Sequence, residues 1–461
     1  GGYLPEQRRR IEQQLRAGEI RCVVATNALE LGIDIGSLDA VVCAGYPGSI
    51  AGLWQRFGRA GRRGGESLAL LVPSSAPLDQ FFAQHPDALI GAPAEFARID
   101  PDNVEILVQH LKCASFELPF ESGEPFGDLP ADAAQEGLEF LVSHRVLHAA
   151  PGSNGKTLYH WATDAYPANH VSLRSVSWDN FVIIDLKTDR TIAEMDWRSV
   201  HTMLHEQAIY QHAGSQYQVE RLDYDNHKAY VRKVKPDYYT DAMTHTRISI
   251  TSEDEMDELP IYDAQGLETV PVSMGLGEIS VVDKVVGYKK IKFHTHENVG
   301  YGDVRLPEMQ KHTTAIWFVI AREFIQTLDA PRPSVMDALR GISNALHTVA
   351  AVGLMTDPRD IGRHVGDRDG GEGAGADYDP TLFIYDQTPG GVGLAPRLYE
   401  ERVELWRRAA QVIRSCGCER GCPACVGPVV GVEDGVSKKE LALAILDRAP
   451  LAPTIQMTSS V

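Results

Sequence analysis

Short apolar runs alternate with amphipathic segments along the first 95 residues. In the first amphipathic segment, Ile11 and Leu15 lie four residues apart on one face, which predicts a helix, and Gly18 marks its end. A second helix is predicted to begin near Ser49. The apolar runs that predict buried strands are 20–26, 38–44 and 67–73. Because helices alternating with short buried strands indicate a parallel sheet, residues 1–95 are expected to form an α/β domain.

The pattern changes after this segment. Residues 96–165 contain helical stretches and then a hairpin signal at 153–155, which predicts a winged helix. Residues 166–312 place β-branched and aromatic residues at alternating positions, which predicts a β-rich domain. Apolar spacing then predicts helices, the first at 315–328, so residues 313–461 are expected to form a helical domain. The expected fold class is α/β plus α+β with four domains, the first being a partial parallel sheet.

Composition and charge limit the class of protein. A chain of 461 residues implies about two to four domains. The sequence has no apolar run of about 18 residues and no apolar signal-peptide core near its start, so a cytoplasmic protein without membrane insertion is expected. The net charge of −19 argues against a protein that coats nucleic acid, but a motor needs only a local basic track. Residues 1–65 hold nine arginines against six acidic residues. The Gly- and Asp-rich run 366–379 is predicted to be a surface loop.

Two polar, glycine-containing segments follow predicted strands. The first, 25–36, reads ATNALELGIDIG; its glycines allow tight turns, and Asp34 places a carboxylate where it could meet a ribose hydroxyl. The second, 55–65, reads QRFGRAGRRGG and holds Arg59 and Arg62 three residues apart, on one side of a helical turn. Two permanently charged guanidinium groups directed at one point suit a triphosphate. Either segment alone is also typical of a solvated turn, but the two in this order resemble motifs V and VI of superfamily 2 helicases.

That resemblance implies that residues 1–95 are a second RecA-like helicase domain, truncated at its N-terminus, and it implies roles for individual residues. Thr26 and Asn27 would contact the nucleic-acid backbone and couple it to the nucleotide. Arg59 and Arg62 would reach the phosphates, with Arg62 as the arginine finger. Many relatives carry histidine where this chain has Gln55, so nucleotide sensing at that position departs from the family pattern. The residues expected close to the nucleotide are Gly32, Asp34 and Gln55.

A motor of this kind also needs a phosphate-binding loop and an acidic magnesium motif on a first RecA-like domain. The segment 150–157, APGSNGKT, matches the loose form of a phosphate-binding loop. It leads into TLYHW, which alternates like a strand, whereas a phosphate-binding loop must lead into a helix. We therefore interpret it as a hairpin turn. ATP and Mg²⁺ are expected to bind only together with a first RecA-like domain, and this chain alone is expected not to hydrolyse ATP.

Four of the seven cysteines lie within ten residues, in the pattern C-x-C-x₃-C-x₂-C: Cys416, Cys418, Cys422 and Cys425. Thiolates at this spacing suit a closed tetrahedral zinc site whose role is structural. An iron–sulfur cluster uses the same ligands and is the alternative. By contrast, His294 and His296 alternate along a predicted strand without a third ligand, so they are interpreted as surface histidines.

Together with both motifs and the cysteines, the segments 77–86 (PLDQFFAQHP) and 384–400 (IYDQTPGGVGLAPRLYE) resemble the mitomycin repair factor A-type helicases. The resemblance implies ATP-driven 3′ to 5′ translocation on DNA, single-stranded or with an overhang, and a role in repair. Basic residues of the later domains would hold the strand, with Lys289, Lys290 and Lys292 as candidates, although a charge run on a strand is commonly a solvated face. Two alternatives remain: an RNA helicase, and a non-catalytic module for nucleic-acid binding or protein docking.

Overall fold

The computed structural model describes twelve stretches of the chain: 3–30, 38–61, 66–74, 77–95, 103–153, 155–171, 180–258, 261–262, 268–269, 271–367, 378–427 and 437–449. The chain divides into two compact units. The larger unit comprises 1–97, 179–387 and 394–461, and the smaller comprises 98–178 and 388–393. None of the helices in the described stretches combines the length and the apolar character that a bilayer span requires.

The first part of the larger unit is an α/β segment built around a parallel strand pair. Its elements are α1 (Pro5–Arg16), β1 (Ala40–Ala44), α2 (Ile50–Phe57), β2 (Leu68–Val72), α3 (Pro77–Gln84) and α4 (Asp87–Ile90). β1 and β2 pair in parallel, from Ala40 opposite Leu68 onward, as predicted. Their predicted burial is wrong for the described residues. One face packs in an apolar cluster through Val41, Cys43 and Leu71, whereas the other is exposed at Val42, Leu68, Leu70 and Val72. The helix predicted near Ser49 is α2, and the Ser49 hydroxyl caps it by accepting a hydrogen bond from the Gly52 amide at 3.0 Å.

The strand predicted over 20–26 is wrong for the described residues. Residues 20–25 form no ladder with any described strand, and Val24 is 96% exposed. A strand exists only where a neighbour satisfies its amides and carbonyls, and the described ladder partner of β1 is β2. An apolar run with β-branched residues was therefore not enough to predict a strand at 20–26.

The smaller unit has the two helices and the three-stranded antiparallel sheet of a winged helix. Its elements are α5 (Val104–Glu117), β3 (Phe120–Glu121), α6 (Ala131–Ser143), β4 (Leu147–Pro151) and β5 (Thr157–Trp161). The strand order is β3-β5-β4, and the segment 150–157 is the turn of the β4–β5 hairpin. Gly155 has φ +80°, and the Lys156 ammonium lies 3.2 Å from the Glu121 carboxylate. The hairpin interpretation is thus confirmed, and these residues do not form a phosphate-binding loop.

The middle of the larger unit contains a five-stranded sheet in the order β7-β6-β10-β9-β8, in which only the β6–β10 pair is parallel. Its elements are β6 (Asn180–Asp185), β7 (Arg190–Asp196), α7 (Trp197–Met203), β8 (Ile209–His212), β9 (Ser215–Asp223) and β10 (Lys228–Val234). The apolar face buries Phe181, Ile183 and Val219, which agrees with the alternation seen in the sequence.

A second, longer sheet follows, in the order β11-β14-β16-β18-β17, with β15 paired to the end of β14. Its strands and a small separate ladder are β11 (Tyr238–Glu258), β12 (Ile261–Tyr262), β13 (Glu268–Thr269), β14 (Val272–Lys292), β15 (Asn298–Asp303), β16 (Met309–Ile320), β17 (Ile361–Asp367) and β18 (Pro380–Asp386). The helices that follow or interrupt it are α8 (Arg322–Gln326), α9 (Arg332–Gly353), α10 (Leu394–Glu400), α11 (Arg402–Ser415) and α12 (Lys438–Arg448). Helices α9, α11 and α12 pack on one another, and α9 and α10 cover the sheet.

The helix predicted to start at residue 315 is wrong in its first half. Residues 315–320 end β16, a central strand between β14 and β18, and helix α8 begins only at Arg322. The run is apolar on both faces because Trp317 packs into the core of the sheet while Phe318 lies 5.2 Å from the ring of Trp406 on α11. A strand buried on both faces has the same apolar pattern as a buried helix. The sheet therefore continues across the predicted domain boundary at 312, and β17 and β18 belong to it as well.

The two histidines interpreted as strand residues lie in a turn. His294 and His296 have φ of +70° and +57° and lie between β14 and β15. Residues 366 and 367 of the predicted surface loop end β17, whereas 368–377 lie outside the described residues. Lys289, Lys290 and Lys292 lie on β14 as expected, and the Lys290 ammonium lies 5.5 Å from the centroid of the Tyr238 ring.

Candidate motor segment and zinc site

The two motor segments meet at the amino ends of β1 and β2. Thr26 precedes a short 3₁₀ turn at Asn27–Leu29, and Glu30 follows it. Nη2 of Arg59, a residue only 9% exposed, donates a hydrogen bond to the Glu30 carbonyl. The Glu30 carboxylate pairs with Nε of Arg56 on α2 at 2.9 Å. Glu30 therefore joins the first motif segment to the second through both its backbone and its side chain.

Backbone contacts fix the same junction. The Leu38 amide donates to the Arg59 carbonyl at 3.2 Å, and the Gly61 amide donates to the Leu38 carbonyl at 3.1 Å. Gly61 has φ +78°, and a Cβ there would lie 2.5 Å from the Ser67 hydroxyl. Only glycine fits this position without strain, so the glycine of the second motif has a structural reason.

The predicted site residues fall into three groups. Thr26, Asn27 and Gln55 are exposed, as contacts with external ligands require. The Arg59 guanidinium is held within its own domain, so its expected reach to a phosphate stays a prediction. The remaining residues lie outside the described part of the chain: Gly32, Asp34 and Arg62.

Sequence reasoning missed two carboxylates that organise this segment. Besides Glu30, the buried Asp79 on α3 accepts hydrogen bonds from the Ser74 amide at 2.6 Å and the Tyr46 amide at 3.2 Å. These amides follow β2 and β1, so one carboxylate ties the carboxyl ends of both strands. The available signal is the position of Asp79 inside the segment 77–86, one of the segments that carry the family resemblance.

The four cysteine sulfurs form one tight cluster in the loop that follows α11. Sγ separations are 3.5 Å for Cys416 and Cys422, 3.5 Å for Cys418 and Cys425, and 3.8 Å for Cys422 and Cys425. All four lie within 4.8 Å of one another. A tetrahedron with Zn–S bonds of about 2.3 Å has edges of about 3.8 Å, so the sulfurs fit a single zinc ion. A multi-iron cluster distributes its thiolates over several iron atoms and would hold them further apart.

The thiols differ in acidity, which bears on metal loading. Burial raises the pKa of Cys422 and raises that of Cys425 to about 12, whereas the Cys418 amide helps to lower the pKa of Cys416 to about 7. Two of the thiols would therefore keep their protons at neutral pH in the absence of a cation. A metal ion must displace those protons, so its binding is expected to weaken as the pH falls.

Groups outside the ligand set hold the cysteine loop. The Lys439 ammonium, at the start of α12, donates to the carbonyls of Cys416 at 2.6 Å and Cys418 at 2.8 Å. The Asn344 side chain on α9 donates to the Cys425 carbonyl at 2.9 Å. A [Zn(Cys)₄] centre has a net charge of −2, so a buried ammonium beside two of its ligands both orients the loop and offsets that charge.

Comparison with known proteins matches three families in succession. Residues 1–64 match the helicase conserved C-terminal domain, 99–176 match the winged helix domain of ATP-dependent helicase HRQ1, and 342–426 match the MrfA Zn-binding domain. The last match ends just after the four cysteines. A crystal structure of the DUF1998 helicase MrfA bound to DNA is 43% identical, with a TM-score of 0.62 over 97% of this chain. These matches support similarity to the C-terminal portion of the MrfA-type superfamily 2 helicases.

Curated relatives agree with that assignment. ATP-dependent helicase YprA of Bacillus subtilis is 43% identical over 451 residues, which cover 97% of this chain and 56% of the relative. ATP-dependent helicase HRQ1 of Saccharomyces cerevisiae is 28% identical over 449 residues, covering 92% of this chain and 39% of the relative. A second MrfA structure, bound to DNA and AMPPNP, is 41% identical, with a TM-score of 0.60. The match covers 97% of this chain and 55% of that MrfA chain. The chain thus spans about half the length of YprA and of the MrfA chain. The family match and the sulfur geometry together support structural zinc at the four cysteines.

Proposed function

We propose that this chain supplies the second RecA-like domain, the zinc domain and the DNA-binding modules of an ATP-dependent DNA helicase. The observation that supports it most directly is the junction at Glu30, where the two motif segments are joined at one end of the parallel strands. ATP and Mg²⁺ would bind between this end and a first RecA-like domain of the same protein. The chain on its own would then lack a complete ATPase site.

Within that site we assign Arg62 as the arginine finger, with Gly32, Asp34 and Gln55 close to the nucleotide. Arg59 would fix the chain three residues before Arg62, since its guanidinium already binds the Glu30 carbonyl. Domain closure around the nucleotide could redirect one of its five N–H groups to a phosphate. Thr26 and Asn27, exposed on the adjoining turn, would contact the DNA backbone.

We propose single-stranded DNA as the track, with 3′ to 5′ translocation and a role in DNA repair in the cytoplasm. The support for DNA is the similarity to MrfA, for which crystal structures bound to DNA are known. The closed four-cysteine site has no open coordination position, so its zinc would be structural. Four clustered thiols are also suited to a reducing compartment.

The test is strand displacement by the complete protein with ATP. Matched DNA and RNA duplexes, each with a 3′ or a 5′ single-stranded tail, would be offered at equal concentration. We expect unwinding of the 3′-tailed DNA duplex. Unwinding confined to RNA would replace DNA by RNA as the track, unwinding from the 5′ tail would reverse the polarity, and no ATP-dependent unwinding would favour a non-catalytic binding module.

A further inference from the structure

A cavity of about 870 Å³ lies between strands β11 and β17 and helix α9. In the described sheet these strands are the two ends of the order β11-β14-β16-β18-β17, so each has one ladder partner. Residues of β11 and β17 approach each other beside the cavity, and no ladder joins these two strands in the described residues. Edge strands carry backbone N–H and C=O groups that no neighbour uses, so the walls can hydrogen-bond a ligand.

The walls of this cavity are cationic. Arg247 on β11, Arg363 on β17 and Arg340 on α9 line it, against one carboxylate among the described lining residues, Asp367. Arg247 is paired with Glu308 at 2.9 Å. No carboxylate of the described residues forms an ion pair with Arg340 or Arg363. Arg363 instead donates to the neutral Asn344 side-chain oxygen at 2.6 Å. Two guanidinium groups at this cavity therefore have no anionic partner in the described chain.

Ser343 provides a second, independent sign of a ligand. It lies on α9 three residues after Arg340, on the same side of the helix, and lines the cavity. It is only 2% exposed, and its hydroxyl makes no hydrogen bond with the described residues. Buried hydroxyls are almost always hydrogen-bonded, because an unsatisfied one loses its contacts with water and gains nothing. A ligand oxygen in the cavity would satisfy it.

The local electrostatics point the same way. Burial lowers the pKa of Arg363 and of His364, and His245 and Arg340 lower that of His364 further, with Asp283 opposing. Burial thus makes the positively charged forms of these side chains less favourable, and the nearby carboxylates do not offset this cost. A bound anion would remove that penalty.

We propose that this cavity binds a phosphate ester through Arg340, Arg363 and Ser343. Guanidinium forks match phosphate oxygens in a bidentate manner, and a neutral hydroxyl donor completes the set. The volume is that of a site for a molecule the size of a nucleotide. Two sources supply this chemistry: a backbone phosphate of single-stranded nucleic acid, which rests on the proposed function, and a free nucleotide.

The experiment measures binding by the 461-residue chain without ATP hydrolysis. Fluorescence anisotropy would follow a labelled oligothymidine, and in a second arm a labelled mononucleotide, over a series of salt concentrations. The variants are Arg340→Gln, Arg363→Gln and Ser343→Ala. The matched control is Arg232→Gln on β10, whose side chain is 63% exposed and pairs with Glu220 at 3.2 Å.

We expect each arginine variant to bind the oligothymidine about tenfold more weakly. The negative slope of log affinity against log salt concentration should become less steep by about 0.7, the value for one phosphate contact on single-stranded DNA. The control should change neither quantity. Loss of affinity for the mononucleotide alone would assign the cavity to a free nucleotide. If the melting curve shows that an arginine variant does not fold, Ser343→Ala takes its place as the test. We expect Ser343→Ala to lose affinity too, but less than an arginine variant.

The outcomes for the cavity and for the helicase are separable. If the variants bind both ligands as tightly as the control, with the same salt dependence, the cavity proposal is wrong. This result would not affect the proposed helicase function. A wild-type chain that binds no single strand at any salt concentration would instead count against the proposed function. If that wild-type chain still bound the mononucleotide and the variants did not, the result would support the cavity as a phosphate-ester site.

Discussion

Replacing Gly341 by alanine would test how closely helix α9 is fitted to the cysteine segment. Gly341 lies in the middle of α9, and a Cβ there would lie 2.8 Å from Cβ of Val426 and 3.1 Å from its carbonyl oxygen. Cε of Lys438 would be 3.2 Å away. Favourable contacts between carbon atoms occur at about 3.5–4.0 Å, so α9 and the cysteine segment would have to separate by roughly 1 Å.

Two opposing free-energy terms decide the sign. Alanine in place of glycine inside a helix stabilises by about 1 kcal/mol at most. Overpacking a close-fitted interface costs about 1–3 kcal/mol, and here the backbone of Val426 is among the atoms that must move. We therefore expect a net loss of about 1 kcal/mol in the free energy of unfolding, the middle of the range of about 0–2 kcal/mol that the two terms allow. Val426 follows Cys425, so the same displacement should disturb a zinc ligand and speed zinc release.

Gly353 supplies a matched control at the end of the same helix. A Cβ there would meet only Nη1 of Arg408, at 4.0 Å, so Gly353→Ala should be neutral or stabilising by a few tenths of a kcal/mol. Urea unfolding with zinc present would give the free energies, and a chromophoric chelator would report the zinc release rate. A Gly341→Ala protein as stable as the Gly353→Ala protein, with unchanged zinc release, would refute the close contact inferred between α9 and this loop.

Three further predictions concern other parts of the fold. Lys439→Met should weaken zinc retention against a chelator by about 10–100-fold, because the ammonium that holds the carbonyls of Cys416 and Cys418 is lost; retention equal to wild type would contradict this role. Burial lowers the pKa of Lys311 from 10.5 to about 8, so the folded chain binds fewer protons than the unfolded chain between these values. The free energy of unfolding should then rise as the pH increases from 8 to 10.5, and Lys311→Met should abolish that rise; an unchanged pH profile in the variant would exclude Lys311 as its source. Asn103→Ala should destabilise the winged-helix unit by about 1–2 kcal/mol, since the side chain caps α5 and donates to two carbonyls of residues 388–393; an unfolding midpoint within error of wild type would count against it.

Features set by neighbouring residues could be predicted from the sequence. The hairpin at 150–157 follows from a turn sequence between two alternating runs, and the cysteine cluster follows from ligand spacing within ten residues. The parallel β1–β2 pair was likewise expected from two apolar runs separated by a helix, although the expected burial of both strands was not found. In each case a local pattern and the final packing require the same thing.

Features set by distant packing could not be predicted. Whether the run 315–320 becomes a strand or a helix depends on β14 and β18 at its sides and on Trp406 across one face. Residues 20–25 have strand composition but no described neighbour with which to pair. In the sequence Glu30 cannot be told from an ordinary surface glutamate. Its part in joining the two motif segments depends on contacts with Arg56 and Arg59, which the fold brings close.

The proposed motor role requires this domain to contribute an arginine finger to an ATPase site completed by a first RecA-like domain. DNA-stimulated ATP hydrolysis by the complete protein tests this role, comparing Arg62→Ala with the exposed-helix control Arg8→Ala, whose side chain pairs with Glu12 on α1. We expect a loss in rate of about 10³–10⁵-fold for Arg62→Ala, with binding of single-stranded DNA retained and the control unaffected. A hydrolysis rate for Arg62→Ala equal to that of the control would contradict it.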